Sequence, residues 1–196
     1  AFGEGVNIPH VRHVVLYHLP FNEIEFNQMS GRAGRDGQPA TVHLLFGRAD
    51  AGINEQILYD MTPSHDCLAQ VYRELRRLQG QSAESFFALS NAELAQAASA
   101  NKRVSVPVAS AACAVAVFRE LGLVETRTSC ESGEIKRFIH VRDAKTKVEL
   151  IDSIRYCEGL GEREVFRIFC DWVMQGTKSL LKGRISKAIL PGAPDA

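Results

Sequence analysis

Two short apolar runs, residues 11–18 and 41–46, flank one stretch with clear helix-start and helix-stop signals, and this leaves the first third of the chain few folds to adopt. Val11-Arg12-His13-Val14-Val15-Leu16-Tyr17-His18 has the length and β-branched content of a buried strand, and Pro20 ends it. Asn22 then offers an N-cap, with Glu25 three residues on in capping-box position. The helix so opened is expected to run to about Ala33, where Gly34 stops it. Thr41-Val42-His43-Leu44-Leu45-Phe46 reads as a second buried strand. Strand, helix and strand in close succession form a βαβ unit, whose strands are parallel and whose crossover is right-handed.

A different pattern follows. Helical spacing runs from 52 to 61, and again from Asp66 to Gln79 with Leu68, Val71, Tyr72, Leu75 and Leu78 along one side. Ser90-Asn91-Ala92-Glu93 is a capping box, Pro107 opens a third helix that ends at Leu121-Gly122, and two strands (123–128 and 135–141) are joined by the turn Glu131-Ser132-Gly133-Glu134. Three helices followed by a hairpin is the plan of a winged helix. From Val148 onward the pattern is helical again, strongest from Glu162 to Met174, where Phe166, Phe169 and Trp172 recur at core spacing. The expected fold is therefore α/β plus α+β: a βαβ-built lobe over 1–63, a winged-helix-like module over 64–147 and a helical segment over 148–196.

Composition narrows the functions. Lysines and arginines number 23 against 23 acidic residues, so no global field draws the chain toward nucleic acid or membrane. The five cysteines are widely spaced and contain no C-x-x-C pair, which argues against a zinc site or disulfide framework and for a reducing cytoplasm. No apolar stretch reaches the roughly 18–20 residues of a membrane span. The first residue is Ala1 and falls within a motif, so the chain is expected to be part of something longer.

The chemistry is concentrated in Gln28-Met29-Ser30-Gly31-Arg32-Ala33-Gly34-Arg35-Asp36-Gly37. Arg32 and Arg35 lie three apart at the expected helix end, so they share a face and can converge on one anion. With Ala1-Phe2-Gly3-Glu4-Gly5-Val6-Asn7-Ile8-Pro9 upstream, the run resembles the last two motifs of superfamily-two helicases in the RecQ branch, over roughly residues 1–47, which implies that 1–63 is a partial RecA-like lobe. The resemblance implies that Arg32 and Arg35 act as arginine fingers on the terminal phosphate of ATP held by a neighbouring lobe. It further implies a nucleotide-binding set in which Gln28 helps align nucleotide or water, and Gly31 and Gly34 let the backbone approach the partner lobe. By the same resemblance Gly3 and Gly5 belong to the motif that couples nucleotide to DNA backbone, a tight turn being the alternative for these two. No G-x-x-x-x-G-K-[ST] loop is present, so ATP turnover by these residues alone is not expected. The alternative for the arginines is a structural one, in which they cap the helix or pair with Asp36.

Other segments are similar to the C-terminal extension of RecJ single-strand exonucleases. They are His18-Leu19-Pro20-Phe21, the run from Leu44 to Asp50 with Ile53-Asn54, Val71-Tyr72-Arg73-Glu74-Leu75, and Lys147-Val148-Glu149-Leu150 with Ser153 and Tyr156. That resemblance implies a parent that degrades single-stranded DNA 5′ to 3′ with Mg or Mn at an upstream D-H-H centre; Ser64-His65-Asp66 does not supply one. The sequence reading is accordingly the C-terminal part of a RecJ-type exonuclease or RecJ–helicase fusion, with no cofactor of its own. It would position single-stranded DNA or a repair partner for upstream nuclease or helicase domains. A RecQ-like helicase fragment is the alternative, and a protein-docking module without catalysis is the third.

Within the winged helix, the third helix is small and apolar nearly all round, which argues against base readout. The DNA-contact candidates are instead Lys102, Arg103, Arg127, Lys136, Arg137, Arg142, Lys145 and Lys147, a set suited to phosphates. Six histidines show no metal-ligand spacing, and no metal site is expected.

Overall fold

The structure, a computed structural model, describes residues 8–100, 105–131, 134–143 and 147–185. In chain order its elements are β1 (His13–Leu16), α1 (Glu23–Ser30), β2 (Thr41–Leu44), α2 (Arg48–Met61), α3 (His65–Gln81), β3 (Phe87–Ala88), α4 (Asn91–Ser99), α5 (Val108–Glu120), β4 (Val124–Glu131), β5 (Glu134–Val141), α6 (Ile154–Gln175) and α7 (Lys178–Ile185). Packing divides the chain into two units, Ala1–Glu55 with Glu164–Ala196, and Gln56–Arg163. The C-terminal residues thus group with the first unit, and the division falls within α2 and α6.

In the first unit β1 and β2 pair in parallel, His13 opposite Thr41 and Leu16 opposite Leu44, as a βαβ crossover requires. Asn22 Oδ1 accepts from the Glu25 N–H at 2.9 Å, and the Glu25 carboxylate reaches back past the N-cap to the Phe21 N–H at 2.8 Å. The helix ends at Ser30, three residues short of the expected Ala33. Gly31 caps it, and the chain turns through Gly34, whose φ of +62° is the left-handed region glycine tolerates.

The two strands are less buried than their composition implies. Leu16 is sealed in the core, but Val15 is 53% exposed and Tyr17 78% exposed. Among the described residues the sheet has only two strands, so one set of alternating side chains lacks a covering layer. The other side is closed by an aromatic cluster. Fully buried Phe26 meets Trp172 edge-on with centroids 5.6 Å apart and Phe169 at 6.1 Å, and Phe21 lies 6.1 Å from Phe166. Arg184 of α7 pairs with Glu23 in the first turn of α1, and Asn54 Nδ2 donates to the Leu19 carbonyl at 2.7 Å.

The second unit is a winged helix: α3, β3, α4, α5 and the β4–β5 hairpin, with antiparallel sheet order β3-β5-β4. Its helix starts are those the sequence signals. Ser64 caps α3, and Ser90 with Glu93 forms a reciprocal capping box on α4. Leu68, Val71 and Leu75 of α3, Leu94 of α4, Ala111, Ala114 and Val117 of α5, and Val124, Ile139 and Val141 of the hairpin make one core. The apolar α5 is buried along most of its length, as its composition predicts. Glu120 at its end accepts from Ser153 Oγ at 2.8 Å and the Ile154 N–H at 2.7 Å, which caps the first turn of α6. Among the described residues no helix is long and apolar enough to cross a membrane.

Candidate functional site

Arg32 and Arg35 lie beyond the end of α1 rather than within it, and they still converge. Both line a cavity of about 720 Å³ whose other walls include Val11, His13 and Val15 of the β1 segment and Met29 of α1. The β1 segment therefore runs along a trough whose border includes both motif arginines. Gln28 is exposed on α1 and lies outside that lining.

Three local features hold this rim. The Arg35 Nε–H donates to the Gly31 carbonyl at 3.3 Å. The Gly34 N–H donates to the Val11 carbonyl at 3.0 Å; a Cβ at Gly34 would sit 2.7 Å from the Gln38 carbonyl oxygen and 3.2 Å from Ala40 Cβ. Gly34 is therefore required for a turn inside this unit, a role distinct from the approach to a partner lobe expected of it. Gly31 is also confined, since a Cβ there would meet the Asn27 carbonyl oxygen at 2.7 Å.

Asp36 completes the turn. Arg12 binds its carboxylate with both terminal nitrogens, one at 2.9 Å, and His10 Nδ1 lies 2.7 Å from Oδ2. The Arg12 hydrogen bonds hold the Asp36 carboxyl well below the usual carboxylate range, helped by the Gln38 N–H and His10. Sequence reasoning treated Asp36 only as a candidate partner of Arg32 and Arg35 and left Arg12 inside a strand; the pairing spans 24 residues and has no local signature. His13 and His43, neighbours across the two strands, lie 3.0 Å apart through Nδ1 and Nε2.

The basic residues of the winged helix fall into different roles. Arg127 and Lys136 project from β4 and β5 as exposed side chains. Arg142 pairs with Glu125, and Lys147 with Glu149 at 2.6 Å. Arg137 departs from the set: it is half-buried, donates to the Leu89 carbonyl at 3.0 and 3.2 Å, and reaches Asn91 Oδ1 at 2.5 Å. Burial pushes its guanidinium pKa down, the reverse of what a salt bridge does. Arg137 thus ties the hairpin to the start of α4. Gly3, Gly5, Lys102, Arg103 and Lys145 lie outside the described residues. Among the described residues no group of three or more His, Cys, Asp or Glu side chains could hold a metal ion.

Residues 1–37 match the helicase conserved C-terminal domain family. The chain is 39% identical over 79 residues to the probable ATP-dependent DNA helicase RecS of Bacillus subtilis, a match covering 40% of this chain and 16% of that protein. It is 36% identical over 73 residues to the bifunctional 3′-5′ exonuclease/ATP-dependent helicase WRN of Mus musculus, over 37% of this chain and 5% of the relative. It is 41% identical over 64 residues to the ATP-dependent DNA helicase RecQ of Pasteurella multocida, over 33% of this chain and 10% of that protein. The matches thus span between 5 and 16% of these relatives. No solved structure matches the chain significantly. The start of the chain is therefore similar to the C-terminal region of RecQ-type helicases. The RecQ alternative is the reading these relatives favour, and they lend no support to a RecJ extension.

Proposed function

We propose that this chain is a C-terminal portion of a RecQ-type ATP-dependent DNA helicase, comprising part of the second motor lobe and a winged helix. The observation that carries this reading is the placing of Arg32 and Arg35 on the rim of one trough, within the run that matches the helicase family. In this role the two guanidinium groups face the phosphates of ATP bound by a separate, Walker-bearing lobe and stabilise charge that spreads over the transferring phosphoryl group. Gly34 and the Arg12–Asp36 pair hold the turn that aims them.

The test is ATP hydrolysis by the full-length parent in the presence of DNA. Arg35→Ala is expected to lower the turnover rate by on the order of 10³-fold, with circular dichroism checking that the variant is folded. An unchanged rate would remove the arginines from phosphoryl transfer and leave them as parts of the turn.

A further inference from the structure

The hairpin sheet of the winged helix has two faces of opposite character. Cross-strand pairing sets Val124 opposite Val141 and Thr126 opposite Ile139 on the core face, where Val124, Ile139 and Val141 are buried. The same register places Glu125 opposite His140, Arg127 opposite Phe138 and Ser129 opposite Lys136 on the outer face. Ala88 pairs with Phe138, which brings β3 onto that face as well. Phe86, the residue just before β3, lies under the Arg127 guanidinium, 4.0 Å from ring centre to Cζ, and 5.2 Å from the His140 ring. The His140 Nδ1–H donates to the Ser85 carbonyl at 2.7 Å and so fixes the ring. Phe86, Phe138 and His140 therefore share one sheet face with Arg127 and Lys136, beside Glu125.

A cleft of about 420 Å³ adjoins this face along β4, lined by Arg119, Gly122, Glu125, Thr126, Arg127 and Arg142. Its acidic member is paired with Arg142. Among the described residues no ion pair engages Arg119, Arg127 or Lys136.

We infer that the outer face of the β3-β5-β4 sheet is a binding platform for single-stranded DNA. Phosphates lie in the arginine cleft at the base of the hairpin, and bases stack on Phe138 and on the plane of Arg127 braced by Phe86. Stacking needs only a π-face and tolerates any base, which suits a surface lacking an array of base-reading amides. A duplex hides the faces of its bases, so this platform discriminates against it. The inference deepens the DNA-handling role above by naming surface and strand state. It is tested without ATP, so failure of the arginine-finger reading leaves it standing, and its own failure leaves that reading untouched.

The experiment is fluorescence anisotropy of the 196-residue chain with labelled oligo-dT and with a hairpin duplex, across a salt series. Oligo-dT is expected to bind more tightly than the duplex. Phe138→Ala and Arg127→Ala should each weaken oligo-dT binding roughly tenfold. Arg119→Ala should flatten the dependence of log K on log salt by about 0.7, the loss of one phosphate contact. Phe138→Leu keeps apolar bulk while removing the π-face, and it too should weaken binding; a thermal melt checks that each variant is folded. Tighter binding to duplex, no binding to oligo-dT, or unchanged affinity in folded Phe138→Leu and Arg127→Ala would overturn the inference.

Discussion

Arg12, just ahead of β1, grips Asp36, just past the second motif arginine, through both terminal nitrogens of its guanidinium. The pair closes the segment between them into a loop that contains α1 and both motif arginines. Geometry at the rim of the trough therefore depends on a contact in which the side chains of Arg32 and Arg35 take no part.

Acid should expose this dependence. The folded-state pKa of Asp36 is depressed, so its contribution is present above the unfolded carboxylate value near 4 and is lost as pH falls below it. Asp36→Asn is expected to lower stability at neutral pH and to flatten the stability profile below about pH 4. Chemical denaturation of both proteins across that range measures the difference.

The aromatic cluster supplies its own probe, because Trp172 is the chain's only tryptophan. Phe26→Ala should cost about 3–5 kcal/mol, the usual range for removing a buried ring. Tryptophan emission should then shift at lower urea than in the parent chain.

Two glycines of α6 should behave oppositely. A Cβ at Gly159 would lie 1.9 Å from Thr62 Oγ1, whereas one at Gly161 meets nothing within 4 Å. Gly159→Ala is expected to destabilise by about 1–3 kcal/mol through overpacking. Gly161→Ala should stabilise by up to about 1 kcal/mol through helix propensity. Paired melting curves decide the sign of each.

Arg137 should separate stability from DNA contact. Its bonds run to the Leu89 carbonyl and Asn91, so Arg137→Ala leaves polar groups without partners. A loss of about 1–3 kcal/mol in stability is expected. Oligonucleotide affinity of the folded variant should stay within twofold or so of the parent, since the guanidinium points at protein. Unfolding and anisotropy on the same sample measure both.

Local signals in the sequence determined the elements and the nature of the helicase-like run. Asn22, Ser64 and Ser90 start helices because their side chains satisfy backbone N–H groups within three residues. Gly122 ends α5 at a φ of +70° that other residues resist. The buried character of α5 was legible too, since a helix with almost no polar side chains has no solvent face to offer. Tertiary structure alone decided the rest. The return of 164–185 to the first unit rests on Phe166, Phe169 and Trp172 finding Phe21 and Phe26, contacts separated by more than a hundred residues. Likewise, Arg137 and Arg127 read alike as basic strand residues, and only the pairing register turns one toward Leu89 and the other onto the face of Phe86. Side-chain direction in a sheet alternates with every residue, so its outcome depends on a partner strand that the local sequence does not name.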